Sequence, residues 1–393
     1  MKRRTMLVIF VSISVASLGS ARADFDAGLR AYNEGDYATA IREYRTDGSA
    51  RSLFNLGLMY AEGKGVKKRN PREAMKWYRQ AADQGLAKAQ FTLGLMYYVG
   101  GDVPTDRKEA AKWYQKAAEQ GHATAQYNLA QMYARGDGVR RNEAEAVKWY
   151  RKAAEQGHAA AQLNLAQIYE KGAGVAQDKK EAARWYLKAA EQGNVRAQFE
   201  IALRYDTGNG VELDKKEAAK WFRRAAEQKH AKAQFKVGFL YDKGEGVPQD
   251  KKEAVKWYRR AAERGVPEAC FNLGLMYYDG SGVSRNRKEA ALWFRKAAAQ
   301  GDAEAQYNLG QMYDEGDGIR QDRKEAAKWY RKAAEQGFDQ AQFNLGLMYF
   351  HGYGVKQNRK EAFKWFVKAA EQGSDEAVKT LEVLGRGMPL ARP

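Results

Sequence analysis

The sequence predicts an all-α protein, an α–α solenoid in which helix-turn-helix units follow one another along the chain. All nine tryptophans share a single spacing of 36 residues, at Trp77, Trp113, Trp149, Trp185, Trp221, Trp257, Trp293, Trp329 and Trp365. A second marker, the small residue inside runs such as Asn-Leu-Gly-Leu-Met-Tyr, keeps the same spacing apart from one extra residue in the first interval. Repetition with a period in this range is the sequence signature of stacked helical repeats.

The first half of each unit is predicted to be an amphipathic helix, here called helix A. In the last unit, Leu345 and Tyr349 lie four residues apart on one face, and Gly346 lies on the same stripe. Apolar residues at this spacing predict a helix that packs along that stripe, and a glycine within it permits close approach of a neighbouring helix. The glycines at 352 and 354 then end helix A.

The second half of each unit is predicted to be another helix, helix B. Asn358 followed three residues later by Glu361 is the sequence pattern of a helix start, and it recurs in every unit. Trp365 and Phe366 supply large apolar side chains, and Gly373 ends the helix. Since the repeated acidic residues have a structural role at helix starts, we do not assign them as catalytic carboxylates.

The repeated motif resembles a known family. The pattern A-x-A-Q-x-x-L-G-x-x-Y-x-x-G-x-G-V, followed by D-x-x-E-A-x-x-W-Y-x-x-A-A-x-Q-G, fits residues 52–373 as nine units and is similar to the Sel1-like repeat (SLR) family of tetratricopeptide-like helical repeat proteins. The resemblance implies a right-handed superhelix with the A helices on the concave side and the B helices on the convex side. It also implies the role of an adaptor or regulator, often in bacterial envelopes. One departure is Lys229, which replaces the glycine that ends helix B.

The two ends of the chain differ from the repeats. Residues 1–23 have a basic start, an apolar stretch from Met6 to Leu18 and an Ala-Arg-Ala cleavage site, which is the pattern of a signal peptide. The mature chain is therefore predicted to begin at Asp24 and to be periplasmic or secreted, without a transmembrane segment. The alternative is an uncleaved membrane anchor. Residues 24–51 resemble a tetratricopeptide helix pair, and residues 374–393 are predicted to form a cap helix to Leu384 and a loose tail from Gly385.

No catalytic, metal or cofactor site is predicted. Three of the four histidines, His122, His158 and His230, share one repeat phase and are therefore separated by whole repeats, whereas zinc ligands lie about 2 Å from one ion. Cys270 is the only cysteine, at a position that is Gln in seven other repeats, so the chain has no internal disulfide. The sequence therefore favours a protein that is not an enzyme.

The formal net charge of +18 indicates an anionic partner or a solvated surface. The basic excess lies in the B helices, mostly in the last five, at outward positions such as Lys328, Arg331 and Lys332. These side chains either solvate an outer face or form a basic stripe that attracts an anionic lipid, a glycan or an acidic protein. Nucleic acid is disfavoured, because the chain is predicted to be exported and its tryptophans have the spacing of core residues.

A second row of residues on helix A supplies the candidate partner-binding site. Its aromatic members lie off the packed face and either pack against the next repeat or line the concave groove. A row of asparagines lies beside them, at a position that in related tetratricopeptide domains holds the backbone of a bound peptide. The candidate residues are Phe199, Phe235, Phe271, Tyr307, Phe343, Asn272, Asn308 and Asn344.

The sequence thus predicts an exported protein–protein interaction scaffold or regulatory adaptor of the bacterial cell envelope, which binds a segment of a partner protein on its concave face. The alternative is an envelope enzyme or binding protein that acts on peptidoglycan or on another anionic glycan or lipid.

Overall fold

Helices make up the regular structure of residues 22–387, the part of the chain that the computed structural model describes. Within these residues there are 21 helices and no strand, which confirms the predicted all-α solenoid fold class. The predicted signal peptide lies outside the described residues, apart from Arg22 and Ala23. The helices are α1 (Arg22–Asn33), α2 (Tyr37–Asp47), α3 (Ala50–Glu62), α4 (Pro71–Asp83), α5 (Ala87–Val99), α6 (Arg107–Glu119), α7 (Ala123–Arg135), α8 (Glu143–Glu155), α9 (Ala159–Lys171), α10 (Lys179–Glu191), α11 (Val195–Thr207), α12 (Lys215–Glu227), α13 (Ala231–Lys243), α14 (Lys251–Ala262), α15 (Pro267–Asp279), α16 (Arg287–Ala299), α17 (Ala303–Glu315), α18 (Arg323–Glu335), α19 (Asp339–His351), α20 (Arg359–Glu371) and α21 (Asp375–Gly387).

The described helices fall into two compact units, one within residues 22–178 and the other within residues 179–387. The first unit contains α1 to α9 and the second contains α10 to α21. Within each unit, every helix packs against the helices that precede and follow it. The A helices are the odd-numbered helices from α3 to α19, and the B helices are the even-numbered helices from α4 to α20. The last helix, α21, continues to Gly387, three residues into the segment predicted to be a tail.

The B helices begin with a side-chain cap, as the sequence predicts. In α20, Asn358 Oδ1 accepts a hydrogen bond from the backbone N–H of Glu361 at 3.1 Å. The Glu361 carboxylate accepts a hydrogen bond from Lys364 Nζ at 2.6 Å. The cap satisfies a backbone donor that the helix itself leaves unpaired. The repeated Asn or Asp and the repeated Glu therefore have structural partners.

Large aromatic side chains of the B helices form the core. Six of the tryptophans, from Trp113 to Trp293, are only 4–6% exposed, which confirms the core position that their spacing predicts. In the six repeats whose small residue of helix A is glycine, the aromatic residue that follows the tryptophan packs against that glycine. For example, a Cβ on Gly310 would lie 2.8 Å from Cδ1 of Tyr330, so a larger residue there would displace the ring.

Two glutamines in most repeats join the helix ends, through one buried hydrogen bond to a carbonyl and one part-buried Gln–Gln hydrogen bond. Gln342 in α19 donates to the Ala334 carbonyl at the end of α18 at 3.1 Å, and its Oε1 accepts a hydrogen bond from Gln372 Nε2 at 2.7 Å. The same Gln–Gln bond, 2.7 to 2.8 Å long, joins Gln120 to Gln90, Gln156 to Gln126, Gln228 to Gln198 and Gln336 to Gln306. These bonds matter because a buried amide is costly unless its donor and acceptor are both paired.

Candidate partner-binding surface

The five candidate aromatic residues of the A helices are all half-buried, and each rests on an aromatic ring of helix B in its own repeat. The ring centroids are 5.6 to 5.8 Å apart in the pairs Phe199–Phe222, Phe235–Tyr258, Phe271–Phe294, Tyr307–Tyr330 and Phe343–Phe366. Phe199 and Tyr307 also contact the residue just before the next helix A, His230 and Phe338 respectively. The row therefore contributes to the core on one side and remains partly exposed on the other.

The candidate asparagines lie beside these rings and are also half-buried. Burial raises the pKa of Tyr258, and the Asn272 amide opposes part of that rise. Burial likewise raises the pKa of Tyr330, and the Asn344 amide opposes part of it. In these two repeats the asparagine thus faces the tyrosine hydroxyl of the preceding helix B. The Tyr258 hydroxyl is nevertheless without a direct hydrogen-bond partner in the described part of the chain.

Asn308 differs from the other two candidate asparagines. Each candidate asparagine lies 14 residues after an aromatic residue of the preceding helix B. For Asn308 that aromatic residue is Phe294, which has no hydroxyl. Asn308 Nδ2 instead donates to the Glu304 carbonyl of its own helix at 2.9 Å. We call the half-buried aromatic and asparagine rows together the A-helix face. Asn308 is the candidate asparagine of this face whose amide is not directed to a tyrosine.

The basic residues of helix B have partners within the protein. In α18, Lys328 Nζ donates to Glu325 Oε1 at 2.5 Å, and this bond raises the lysine pKa. Lys332 lies 4.1 Å from the centroid of the Trp329 ring, a cation–π contact. Arg331 donates to the Tyr349 hydroxyl of the next helix A. Arg331 is exposed, as its predicted outward position requires, and its guanidinium also joins α18 to α19.

Three histidines have a structural role. Nδ1 of His122, His158 and His230 accepts the backbone N–H three residues later at 3.2 Å, which caps α7, α9 and α13. Burial lowers the pKa of each histidine and so favours the neutral form that can accept this bond. This shared role explains their common repeat phase. No group of three or more metal-ligating side chains occurs among residues 22–387.

The lone cysteine is also part of the core. Cys270 is 1% exposed, and its thiol lies 3.7 Å from the Ala262 carbonyl, where the glutamine of the other repeats donates its amide. Burial raises the pKa of the thiol, which disfavours the reactive thiolate. Cys270 therefore behaves as a packing residue.

One polar cavity is a feature that the sequence reasoning missed. It has a volume of about 460 Å³ and lies among the ends of α12, α13 and α14. It is lined by Ala226, Glu227, Lys229, Gln234, Arg260, Glu263 and Arg264. Lys229 is recognisable in the sequence because it replaces the glycine that ends helix B. Arg264 is recognisable as a departure from the repeat only when all nine repeats are aligned at their common spacing.

The Sel1 repeat model matches nine consecutive segments of the chain, which together cover residues 50–374. The segments are 50–86, 87–122, 123–158, 159–194, 195–230, 231–266, 267–302, 303–338 and 339–374. No curated protein matches the chain significantly.

Two solved structures are similar over most of the chain. One is c5321, a protective antigen present in uropathogenic Escherichia coli strains and displaying an SLR fold, at 38% identity, 94% coverage of this chain, 81% coverage of that chain and a TM-score of 0.80. The other is a Sel1 repeat protein from Oxalobacter formigenes, at 33% identity, 84% coverage of this chain, 93% coverage of that chain and a TM-score of 0.63.

Proposed function

Since the chain belongs to the Sel1 repeat family, whose members generally mediate protein–protein interactions, we propose that it is an interaction scaffold or regulatory adaptor of the bacterial cell envelope. The Sel1 repeat fold is a scaffold that typically has no enzymatic activity. We extend that property to this chain, in which the repeated acidic residues and three histidines have structural partners.

The envelope location is proposed from the N-terminal sequence. The basic residues at 2–4, the apolar stretch from Met6 to Leu18 and the Ala-Arg-Ala site form the three regions of a secretory signal peptide in the expected order. Among the described residues, no helix is long and apolar enough to cross a membrane. On this proposal, the repeats act in the periplasm or outside the cell.

The proposed binding surface is the A-helix face, which we expect on the concave side of the solenoid. The observation that carries this proposal is the environment of Asn308, a half-buried residue next to Tyr307 in the sequence, whose amide donates to the Glu304 carbonyl and is not directed to a tyrosine hydroxyl. An extended segment needs partners for the peptide groups that it desolvates, and an asparagine amide offers both a donor and an acceptor. Aromatic rings beside it supply apolar contact area.

The experiment compares two variants of the full chain in affinity capture from cross-linked cell envelopes. The A-helix variant is Asn272→Ala, Asn308→Ala and Asn344→Ala combined. We expect it to lose the specifically captured protein while its circular dichroism stays that of the wild type. In single variants Asn308→Ala should have the largest effect, because the Asn308 amide is directed to the Glu304 carbonyl and not to a tyrosine hydroxyl.

The matched control is Lys328→Glu with Lys332→Glu, which reverses charge on α18 and leaves the Arg331–Tyr349 bond intact. We expect this control to capture the same protein as the wild type. If capture fails only in the charge-reversed control, the basic face of the B helices is the binding site and the proposal for the A-helix face is wrong.

A further inference from the structure

The exposed charges along the A helices change sign within the second compact unit. The second and thirteenth residues of an A helix lie on the same side as its asparagine position, because all three are separated by close to whole helical turns. At these two positions the charged residues of α11 and α13 are basic, whereas those of α15 and α17 are acidic. We call these exposed residues the border charges: Arg196, Lys232, Lys243, Glu268, Asp279, Glu304 and Glu315.

The border charges lie beside the aromatic row of the A-helix face. Burial lowers the pKa of His230 and Lys232 lowers it further, and the His230 ring packs on Phe199 with the ring centroids 4.6 Å apart. Burial raises the pKa of Tyr307, and the nearby Glu315 carboxylate raises it further. A basic border charge thus lies near Phe199 and an acidic one near Tyr307, which are both candidate residues of the face.

Most border charges have no charged partner within the protein. In eight of the nine B helices, a lysine or arginine pairs with the glutamate three residues before it, as Lys328 does with Glu325. By contrast, six of the seven border charges form no ion pair within residues 22–387. The exception is Lys243, which lies 3.9 Å from Asp242 of its own helix. The border charges are therefore available to the charges of a partner.

The four helices that carry the border charges lie side by side. Lys236 of α13 pairs with Asp206 of α11 at 3.6 Å. Phe239 of α13 packs against a hydrophobic cluster that includes Leu273 of α15 and Leu309 of α17. Packed helices lie about 10 Å apart and an extended chain advances about 3.3 Å per residue, so about three residues span one repeat. Successive side chains of an extended chain point to opposite sides, which matches border charges at both ends of an A helix.

We propose that the A-helix face of the second unit binds an extended segment of a partner protein in which a run of acidic residues adjoins a run of basic residues. The acidic run lies against α11 and α13, and the basic run lies against α15 and α17, so that opposite charges meet. For a given partner, the reverse direction would bring like charges together, so the border charges set the direction in which the segment lies. This inference rests on the proposed function and adds the chemical class of the partner segment.

The test titrates the purified mature chain with octapeptides of one composition, four glutamates and four lysines, with both ends blocked. Two block peptides have either the glutamates or the lysines first, and in a third peptide the two residue types alternate. Fluorescence anisotropy of an uncharged dye on each peptide measures binding at an ionic strength of about 0.05 M, at which charges attract over more than 10 Å. We expect at least one block peptide to bind with a Kd on the order of 0.1 mM, at least tenfold more tightly than the alternating peptide.

The variant Lys232→Glu with Lys243→Glu reverses the border charges of α13. It should fold normally, because α17 has glutamate at both equivalent positions, Glu304 and Glu315. The block peptide should bind this variant at least tenfold more weakly than the wild type, because its acidic run then meets carboxylates.

The matched control is Lys216→Glu with Lys252→Glu, at exposed positions of α12 and α14. It makes the same change in net charge away from the A-helix face, so the block peptide should bind it within about twofold of the wild type. The proposal is overturned if no peptide binds with saturation, if the alternating peptide binds as tightly as both block peptides, or if the two variants lose affinity equally.

Affinity capture from cell envelopes separates this inference from the proposed function. The Lys232→Glu and Lys243→Glu variant should lose the same captured protein as the variant with the three asparagines replaced. If the charge variant retains that protein and the asparagine variant loses it, the charge pattern is wrong and the A-helix face remains the binding site.

Discussion

Gly246 packs against the backbone carbonyl of Lys215, so closely that a Cβ on residue 246 would lie 2.1 Å from the carbonyl oxygen. Gly246 is in the loop after α13, and Lys215 is the first residue of α12 in the preceding repeat. The second glycine of the Gly-x-Gly motif thus serves two purposes, since its φ of 70° also lies in the left-handed region. At this motif, the loop after helix A packs against the first residue of helix B in the preceding repeat.

Replacing Gly246 with Ala should therefore destabilise the protein by about 3 kcal/mol, which combines backbone strain with a steric clash. The matched control is Gly265→Ala. Gly265 has a similar φ of 81°, but a Cβ there would meet no described atom within 4 Å. The control should lower the free energy of unfolding by about 1 kcal/mol, because it introduces backbone strain without a steric clash. Urea unfolding measures both variants, and equal losses would contradict the steric role of Gly246.

Lys229→Gly should stabilise the protein by about 0.5 to 1 kcal/mol. The change relieves the positive φ of 69° that Lys adopts with strain, although part of the gain is offset by the greater backbone freedom of glycine in the unfolded chain. The measurement is again the midpoint of urea unfolding. A lower midpoint would show that the Lys229 side chain makes stabilising contacts that outweigh its backbone strain.

The stability of the protein should decrease as the pH falls below about 6.5, the ordinary pKa of histidine. His122, His158 and His230 have lowered pKa values in the folded protein, chiefly through burial. Lys88 lowers the pKa of His122 further, while Lys232 lowers and Glu200 raises that of His230. Below pH 6.5 the unfolded chain binds protons that the folded chain does not, so the folded state loses stability. Thermal unfolding between pH 7.5 and 5.5 measures this loss.

The matched variant for the histidine prediction replaces all three histidines with Asn. The protein itself supplies the model for this change, because Asn194 caps α11 at the equivalent position and accepts the Ala197 N–H at 3.0 Å. The variant should keep its stability at pH 7.5 and lose less than the wild type on acidification. An unchanged pH dependence would show that other groups cause the acid sensitivity.

Much of the fold follows from the sequence because each repeat carries its own local signals. Asn358 and Glu361 mark the start of α20, and the spacing of the tryptophans predicts their burial. The hydrogen bonds between helices are harder to predict. The bond from Arg331 to Tyr349 and the Gln372–Gln342 bond join residues 18 and 30 positions apart, whose proximity depends on how the helices pack.

The candidate site was predictable only in part. The periodicity identifies the aromatic and asparagine rows, but it cannot tell which asparagine faces a hydroxyl. That difference depends on the identity of the B-helix aromatic 14 residues earlier, which is Tyr258 for Asn272 and Phe294 for Asn308. The cavity at Gln234 escaped prediction because its lining comes from three helices.

The proposed export requires cleavage of the signal peptide after the Ala-Arg-Ala site, so the mature chain should begin at Asp24. N-terminal sequencing of the protein purified from a periplasmic or extracellular fraction should read Asp-Phe-Asp-Ala-Gly. A chain that retains Met1 in the soluble cytoplasmic fraction would contradict export and the proposed envelope role.

The most direct measurement of the central claim is site-specific photo-crosslinking in intact cells. A photoreactive phenylalanine at position 307 lies on the A-helix face, and the same residue at position 328 lies on exposed α18 surface as the control. If the A-helix face binds the partner, position 307 should give a discrete crosslinked species that Asn308→Ala diminishes, and position 328 should give none. A discrete species from position 328 alone would contradict the claim.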